Sequence, residues 1–284
     1  MSSDDRLTLF LARAEQLLER IEKLLPQAPA PTDWSAPAFR WRSENASGWL
    51  EAIHHPQVLS PDHLLCMESQ KAAVIRNTER FLNGHPANNI LLWGSRGTGK
   101  SSLVKALLHL YAERGLRLIE VDKDDLLQLS AIFDKIEGRP ERFVLFSDDL
   151  SFEAAEPGYK QLKAALEGSL SGLPENVLIY ATSNRRHLLP EYFSENRETT
   201  VVDGEIHLGD SVEEKISLSE RFGLWISFYP FSQDDYLAIV EHWLQQSGQE
   251  MNQETRMLAL QWATRRGSRS GRVARQFAID LASR

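Results

Sequence analysis

The run Gly94-Ser95-Arg96-Gly97-Thr98-Gly99-Lys100-Ser101 has the spacing G-x-x-x-x-G-K-S, which suits a phosphate-binding loop. Glycines at 94, 97 and 99 let the backbone curl until its N–H groups converge on phosphate oxygens, and a following helix adds the favourable end of its dipole. Lys100 can reach β and γ phosphates, and the Ser101 hydroxyl can ligate Mg2+. The apolar run Ile90-Leu91-Leu92-Trp93 leads straight in, and Ser102, Leu103, Val104, Leu107, Leu108 and Tyr111 mark an amphipathic helix leading out. With those flanks, Gly94 to Ser102 are expected to bind a nucleoside triphosphate. The bland alternative is a chance glycine loop.

A second group lies downstream. Phe143-Val144-Leu145-Phe146-Ser147-Asp148-Asp149 reads as an apolar strand that ends in two carboxylates. Asp148 is expected to hold Mg2+ together with Ser101, and Asp149 to orient an attacking water. Adjacent carboxylates are costly without a cation, so the competing reading is a solvated turn. Nothing else in the chain has catalytic spacing. His54-His55 lacks acids placed to share a metal, Cys66 reads as helix packing, and no Ser/His/Asp hydrolase signature is present.

The elements that must position these residues follow from periodicity. Ile90–Trp93, Leu116–Val121, Phe143–Phe146, Val177–Ala181 and Leu224–Phe228 are short β-rich apolar runs, with helical stretches at 62–82, 101–113, 124–137 and 158–170. Strands apolar on both faces and alternating with helices predict an α/β fold, a five-stranded parallel sheet between two helical layers. That core is expected over residues 60–230. Residues 233–247, 252–265 and 270–283 read as three helices, a small C-terminal lid over 231–284. Residues 1–59 read as an arm: an amphipathic helix with one apolar stripe over 5–25, a Pro-rich connector, and the aromatics Trp34, Phe39, Trp41 and Trp49 as anchors.

Composition sets the outer bounds. The chain has 284 residues, 32 Lys+Arg against 40 Asp+Glu, a net charge of -8 and one cysteine. That excludes a disulfide framework and a thiolate zinc cluster, and argues against a protein that grips nucleic acid over its whole surface, though not against a local basic patch such as Arg265 to Arg272. The first residues, MSSDDRLTLF, are acidic where a signal peptide would be basic. No apolar run approaches the roughly 18 residues of a membrane span, so a cytoplasmic location is expected.

Together, the phosphate loop after a strand, the acidic strand end and the trailing helices resemble the AAA+ ATPases. The segments LLWGSRGTGKSSLVKALL, FSDDLSFE, YATSNRRHL and SERFGLWISF are similar to a bacterial family of predicted AAA+ ATPases described as a domain of unknown function. The resemblance extends over roughly residues 38–280. It implies adenine as the base, hydrolysis of ATP with Mg2+, and further site residues. Asn184, ending Tyr180-Ala181-Thr182-Ser183-Asn184, would sense the γ-phosphate; a strand-end cap is the alternative. Arg221, in Leu218-Ser219-Glu220-Arg221-Phe222-Gly223, would be the finger that completes a neighbouring subunit's site; an intrachain ion pair is the alternative. Arg272, in Ser270-Gly271-Arg272, would reach the nucleotide from the lid, with Arg269 as fallback. One departure from the common pattern is Asp149 where a glutamate is usual. It is shorter by a methylene, which predicts slow turnover or rearrangement on assembly.

Residues 194–217 carry seven carboxylates and two basic residues, and Thr199–Leu208 around Asp203-Gly204 reads as a hairpin. A protein client is expected there or at the N-terminal arm, and a homo-oligomer through Arg221. The leading expectation is an ATPase that couples nucleotide state to assembly or partner remodelling. The alternative is an ATP-dependent switch or loader in which binding, not turnover, gates a partner. A small-molecule kinase is disfavoured, since no acceptor site is evident.

Overall fold

The computed structural model describes residues 11, 13–17, 31–44, 47–152, 156–167, 173–186, 188, 200–202, 205–207 and 218–283. The chain divides into two units, Met1–Thr32 and Asp33–Arg284. In the first, Leu11 and residues 13–17 are helical; the other residues of the helix expected over 5–25 lie outside the described residues.

The second unit is built on a seven-stranded sheet. β1 (Ala38–Glu44) and β2 (Ser47–Ile53) form a hairpin, and β3 (Ile90–Gly94), β4 (Leu116–Glu120), β5 (Arg142–Ser147), β6 (Val177–Ser183) and β9 (Leu224–Phe228) complete it in the order β2-β1-β4-β5-β6-β3-β9. The five expected strands all form and are mutually parallel. The five-stranded sheet needs correction, because β1 adds in parallel beside β4 and β2 pairs antiparallel with β1. Residues 38–53, read as an anchoring arm, thus extend the sheet. The physical reason lies in AFRWRSE, where Phe39 and Trp41 are fully buried while Arg40 and Arg42 point the other way, to Glu120 (2.6 Å) and Glu51 (2.7 Å). That is the period of two of a half-buried strand.

Alternation along the central strands divides the core into two faces. Ile90, Leu92, Val144, Phe146, Leu178 and Tyr180 pack with α1 (Glu68–Leu82) and α2 (Lys100–Tyr111). Leu91, Phe143, Leu145, Val177 and Ile179 pack with α3 (Leu129–Ile136) and α4 (Pro157–Glu167). A 3-10 turn, Pro61–His63, precedes α1, which splits the helix expected from 62. Cys66 lies in the gap, exposed and at φ 60 instead of packed in a helix.

After β9 come α5 (Gln233–Gln246), α6 (Gln253–Arg266) and α7 (Gly271–Ala282), close to the expected limits. Each start is fixed by its own cap. Ser232 and Asp235 form a capping box, Asn252 accepts from Thr255 N–H, and Ser270 from Val273 N–H. Tyr236, Leu244, Ala259, Ala274 and Phe277 join this small bundle to the α1–α2 face of the sheet. Separately, β7 (Thr200–Val202) and β8 (Glu205–His207) pair antiparallel, as the hairpin expectation requires. The remainder of 194–217 lies outside the described residues.

Candidate functional site

The site forms where β3 leaves the sheet. Gly94 has φ +128, and a Cβ there would sit 2.0 Å from the Phe228 carbonyl oxygen, so only glycine permits this exit. The loop is then tied down: Ser95 N–H donates to that same oxygen (2.9 Å), and Thr98 Oγ1 donates to the Ser95 carbonyl (2.8 Å). At Gly97 (φ +74) a Cβ would lie 2.7 Å from Ser270 Cβ, and Gly97 O accepts from Gly271 N–H at 3.0 Å. The C-terminal bundle therefore rests directly on the loop.

Lys100, the first residue of α2, is 7 % exposed. Its ammonium donates to the carbonyls of Gly94 (2.9 Å) and Ser95 (2.8 Å) and to Asn184 Oδ1 (3.2 Å). Burial pulls its pKa below the ordinary lysine value. The carboxylates of Asp149 and Asp148 oppose that shift, and nearby Arg96 adds to it. Asn184 in turn donates through Nδ2 to Asp149 Oδ1, giving one chain, Lys100–Asn184–Asp149. Ser101 Oγ donates to Asp148 Oδ1, as does Thr182 Oγ1 (2.6 Å). Asp149 N–H donates to Thr182 Oγ1 at 2.9 Å, and Asp149 adopts φ 51, in the left-handed region that aspartate enters more readily than most residues. Two carboxylates at one strand end thus turn to different partners.

These groups line a cavity of about 710 Å³, within the usual range for small-molecule sites. Arg96 to Ser102, Asp148, Asp149, Thr182 and Asn184 are its polar lining. Leu59, Leu64, Leu65, Met67, Ile239, Trp243 and Ile279 are apolar lining beside His63, and α7 also supplies Arg272, Arg275 and Gln276. The hydroxyl of Ser101 and the carboxylate of Asp148 are hard oxygen donors already in contact, a pair that fits Mg2+.

Of the residues expected at the site, Gly97, Thr98, Gly99, Lys100, Ser101, Ser102, Asp148, Asp149, Asn184 and Arg272 come together around this cavity, with Arg96 at its edge; Gly94 and Ser95 shape it from behind. Arg269 instead borders a separate hollow on the outer side of the loop. Arg221 stands away from the cavity, with its guanidinium against Glu167 at the end of α4, the intrachain pairing that its sequence context left open. Thr182 was not foreseen. Its signal was a hydroxyl two residues before Asn184 in an otherwise apolar strand. His63, Trp243 and Arg275 have no spacing signal, because only the tertiary fold brings them together.

A family model described as "Protein of unknown function (DUF815)" matches residues 34–284. The chain belongs to that family. No curated protein matches it. Among solved structures, it is similar to the Thermotoga maritima RuvB Holliday junction branch migration motor, with a TM-score of 0.51 and 16% identity over 78% of this chain and 63% of that one. AMPPCP-bound DnaA from Aquifex aeolicus aligns with a TM-score of 0.45 and 21% identity over 72% of this chain and 61% of that one. The chain thus spans less than two thirds of the length of these structures. The first likeness shows the fold alone, an α/β architecture with a mostly parallel sheet. Among the described residues, no helix is long and apolar enough to cross a membrane.

Proposed function

We propose that this DUF815 protein binds ATP with Mg2+ in the 710 Å³ cavity and hydrolyses it. The observation that carries the reading is the meeting of Lys100, Ser101, Asp148, Asp149 and Asn184 in a single cavity whose lining also includes apolar side chains suited to a base.

Lys100 is held in the loop by two carbonyls and Asn184, and it would exchange those neutral contacts for phosphate oxygens of ATP. Ser101 and Asp148 would hold Mg2+, which when bound neutralises charge on the phosphates. Asp149 is the group that would orient water, with its carboxylate aimed by Asn184 and its backbone pinned by Thr182. Arg272, on the first turn of α7, would meet the phosphates from the bundle side. Arg221 would act on the neighbouring subunit's nucleotide and must leave Glu167 to do so. A protein client at 194–217 or at the N-terminal arm, a cytoplasmic setting, and the coupling of nucleotide state to assembly or remodelling belong to the same proposal.

Titration with a fluorescent ATP analogue, with and without Mg2+, tests it. Wild type should bind with Mg2+-dependent affinity, and Lys100→Ala should bind at least about a hundredfold more weakly, as befits a lost charge-assisted contact. Equal binding by both would remove this cavity as the site. Tight binding without turnover would favour the alternative, a nucleotide-gated switch or loader, for which the shorter Asp149 in place of glutamate is the supporting feature.

A further inference from the structure

Beside the cavity two histidines from different parts of the fold meet. His63 closes the 3-10 turn ahead of α1, and His242 lies in α5 of the C-terminal bundle. His63 Nδ1 and His242 Nε2 are 2.8 Å apart, a hydrogen bond spanning 179 residues of sequence. The His63 ring also stacks on Trp243 (centroids 5.0 Å, planes at 29°), and the guanidinium of Arg275 from α7 lies 4.9 Å from the Trp243 ring centre. His63, Trp243 and Arg275 all line the cavity, whereas His242 stands behind them.

The chemistry of this contact is restrictive. A nitrogen–nitrogen hydrogen bond needs one proton between the two atoms, so it survives with both rings neutral or with one ring charged. Two imidazolium rings would place N–H against N–H and like charge against like charge. The carboxylates that act on Cys66 beside this turn, Asp235 and Glu68, are engaged with Ser232 and Lys71. Among the described residues neither histidine has a carboxylate partner, Asp62 on the same turn is bonded to Ser60, and the charged side chains on the adjoining cavity wall, Arg272 and Arg275, are cationic.

We propose that the His63–His242 hydrogen bond is a proton-sensitive latch that ties the bundle to the core, so that nucleotide is held more weakly when both rings are charged. The inference rests on the nucleotide reading of the cavity. His63 and His242 are positioning residues in it: they fix Trp243, Arg275 and, through α7, Arg272. The direction of the effect is set by the site. Burial first, and the neighbouring His63 second, hold His242 below the ordinary histidine value. The bond is therefore intact through the usual histidine range, with at most one ring charged, and is lost only as pH falls below it, where His242 too takes a proton.

The test compares the affinity of a non-hydrolysable ATP analogue from about pH 8 down to about pH 5 in wild type and His242→Gln, whose amide can replace the hydrogen bond but does not titrate. Both should bind alike at the upper limit. At the lower limit wild type should lose about fivefold more affinity than the variant, the equivalent of one net hydrogen bond. Phosphate protonation affects both proteins equally and cancels in the ratio. Superimposable pH profiles would overturn the latch. In nucleotide-free protein, NMR of the histidine rings should show the His242 midpoint moving up in His63→Gln. An unmoved midpoint would overturn the pairing itself, whereas failure of wild type to bind nucleotide at any pH would count against the nucleotide reading alone.

Discussion

Thr182 carries a prediction that separates this site from a generic acidic strand end. Its hydroxyl donates to Asp148 and accepts from Asp149 N–H, so Thr182→Val should leave the fold intact and disorganise the carboxylate proposed to hold Mg2+. The Mg2+ concentration for half-maximal nucleotide binding should rise about tenfold, the usual scale for losing a partner behind a metal ligand; an unchanged Mg2+ titration would contradict the assignment of Asp148. Asp149→Asn should keep nucleotide affinity and lower turnover by about a hundredfold or more, read by steady-state phosphate release. At this scale the sequence was informative where chemistry is contiguous. Lys100, Ser101 and Asp148 sit in short runs whose spacing is itself the geometry. Thr182 and His63 were hidden because their partners lie 34 and 179 residues away.

At the scale of elements, α1 is locked to the sheet by a buried polar network. Asn77 Nδ2 donates to Asn88 O (2.8 Å) and to the Tyr180 hydroxyl (3.0 Å), Asn88 N–H donates to Asn77 Oδ1 (3.0 Å), and Thr78 Oγ1 lies 2.9 Å from the same hydroxyl. Burial pushes the Tyr180 phenol up to about 12, against those two hydrogen bonds, so it stays a neutral hydrogen-bonding group across the physiological range. Asn77→Ala removes the partner of the Asn88 N–H and carbonyl and one of the two partners of the buried Tyr180 hydroxyl, and should cost about 1–3 kcal/mol in urea unfolding. Tyr180→Phe should cost less, because Asn77 keeps Asn88 and Thr78 keeps the Val74 carbonyl; the reverse ranking would contradict the network. The five parallel strands were legible because apolar runs bounded by helices leave little choice. β1 and β2 were not, since proline and aromatic residues around them suggested an arm, although the alternation of Phe39 and Trp41 with Arg40 and Arg42 held the signal. Trp41 is fully buried and donates to Gln128 (3.2 Å). Trp41→Ala should therefore destabilise the Asp33–Arg284 unit by about 3–5 kcal/mol, where a loosely attached arm would show almost no change.

Over the Asp33–Arg284 unit as a whole, the cavity belongs to neither the sheet nor the bundle alone. α7 starts on the phosphate loop through Gly271 N–H and Gly97 O, and α5 returns to the turn before α1 through His242. A ligand between these two contacts would be sensed by the bundle, which is what a nucleotide-driven change in shape requires. In the proposed oligomer, Arg221 would extend the same logic between subunits. If it completes a neighbour's site, Arg221→Ala should keep nucleotide binding, lose turnover, and be rescued by mixing with a subunit that contributes the arginine. Glu167→Ala, which removes one partner of the guanidinium in the same chain, should not lose turnover. The most direct measurement is ATP turnover per subunit across a range of protein concentrations, for wild type beside Lys100→Ala. We expect wild-type turnover to rise with concentration and the Lys100→Ala rate to stay at background throughout. Wild-type turnover indistinguishable from Lys100→Ala at every concentration would contradict hydrolysis at this site.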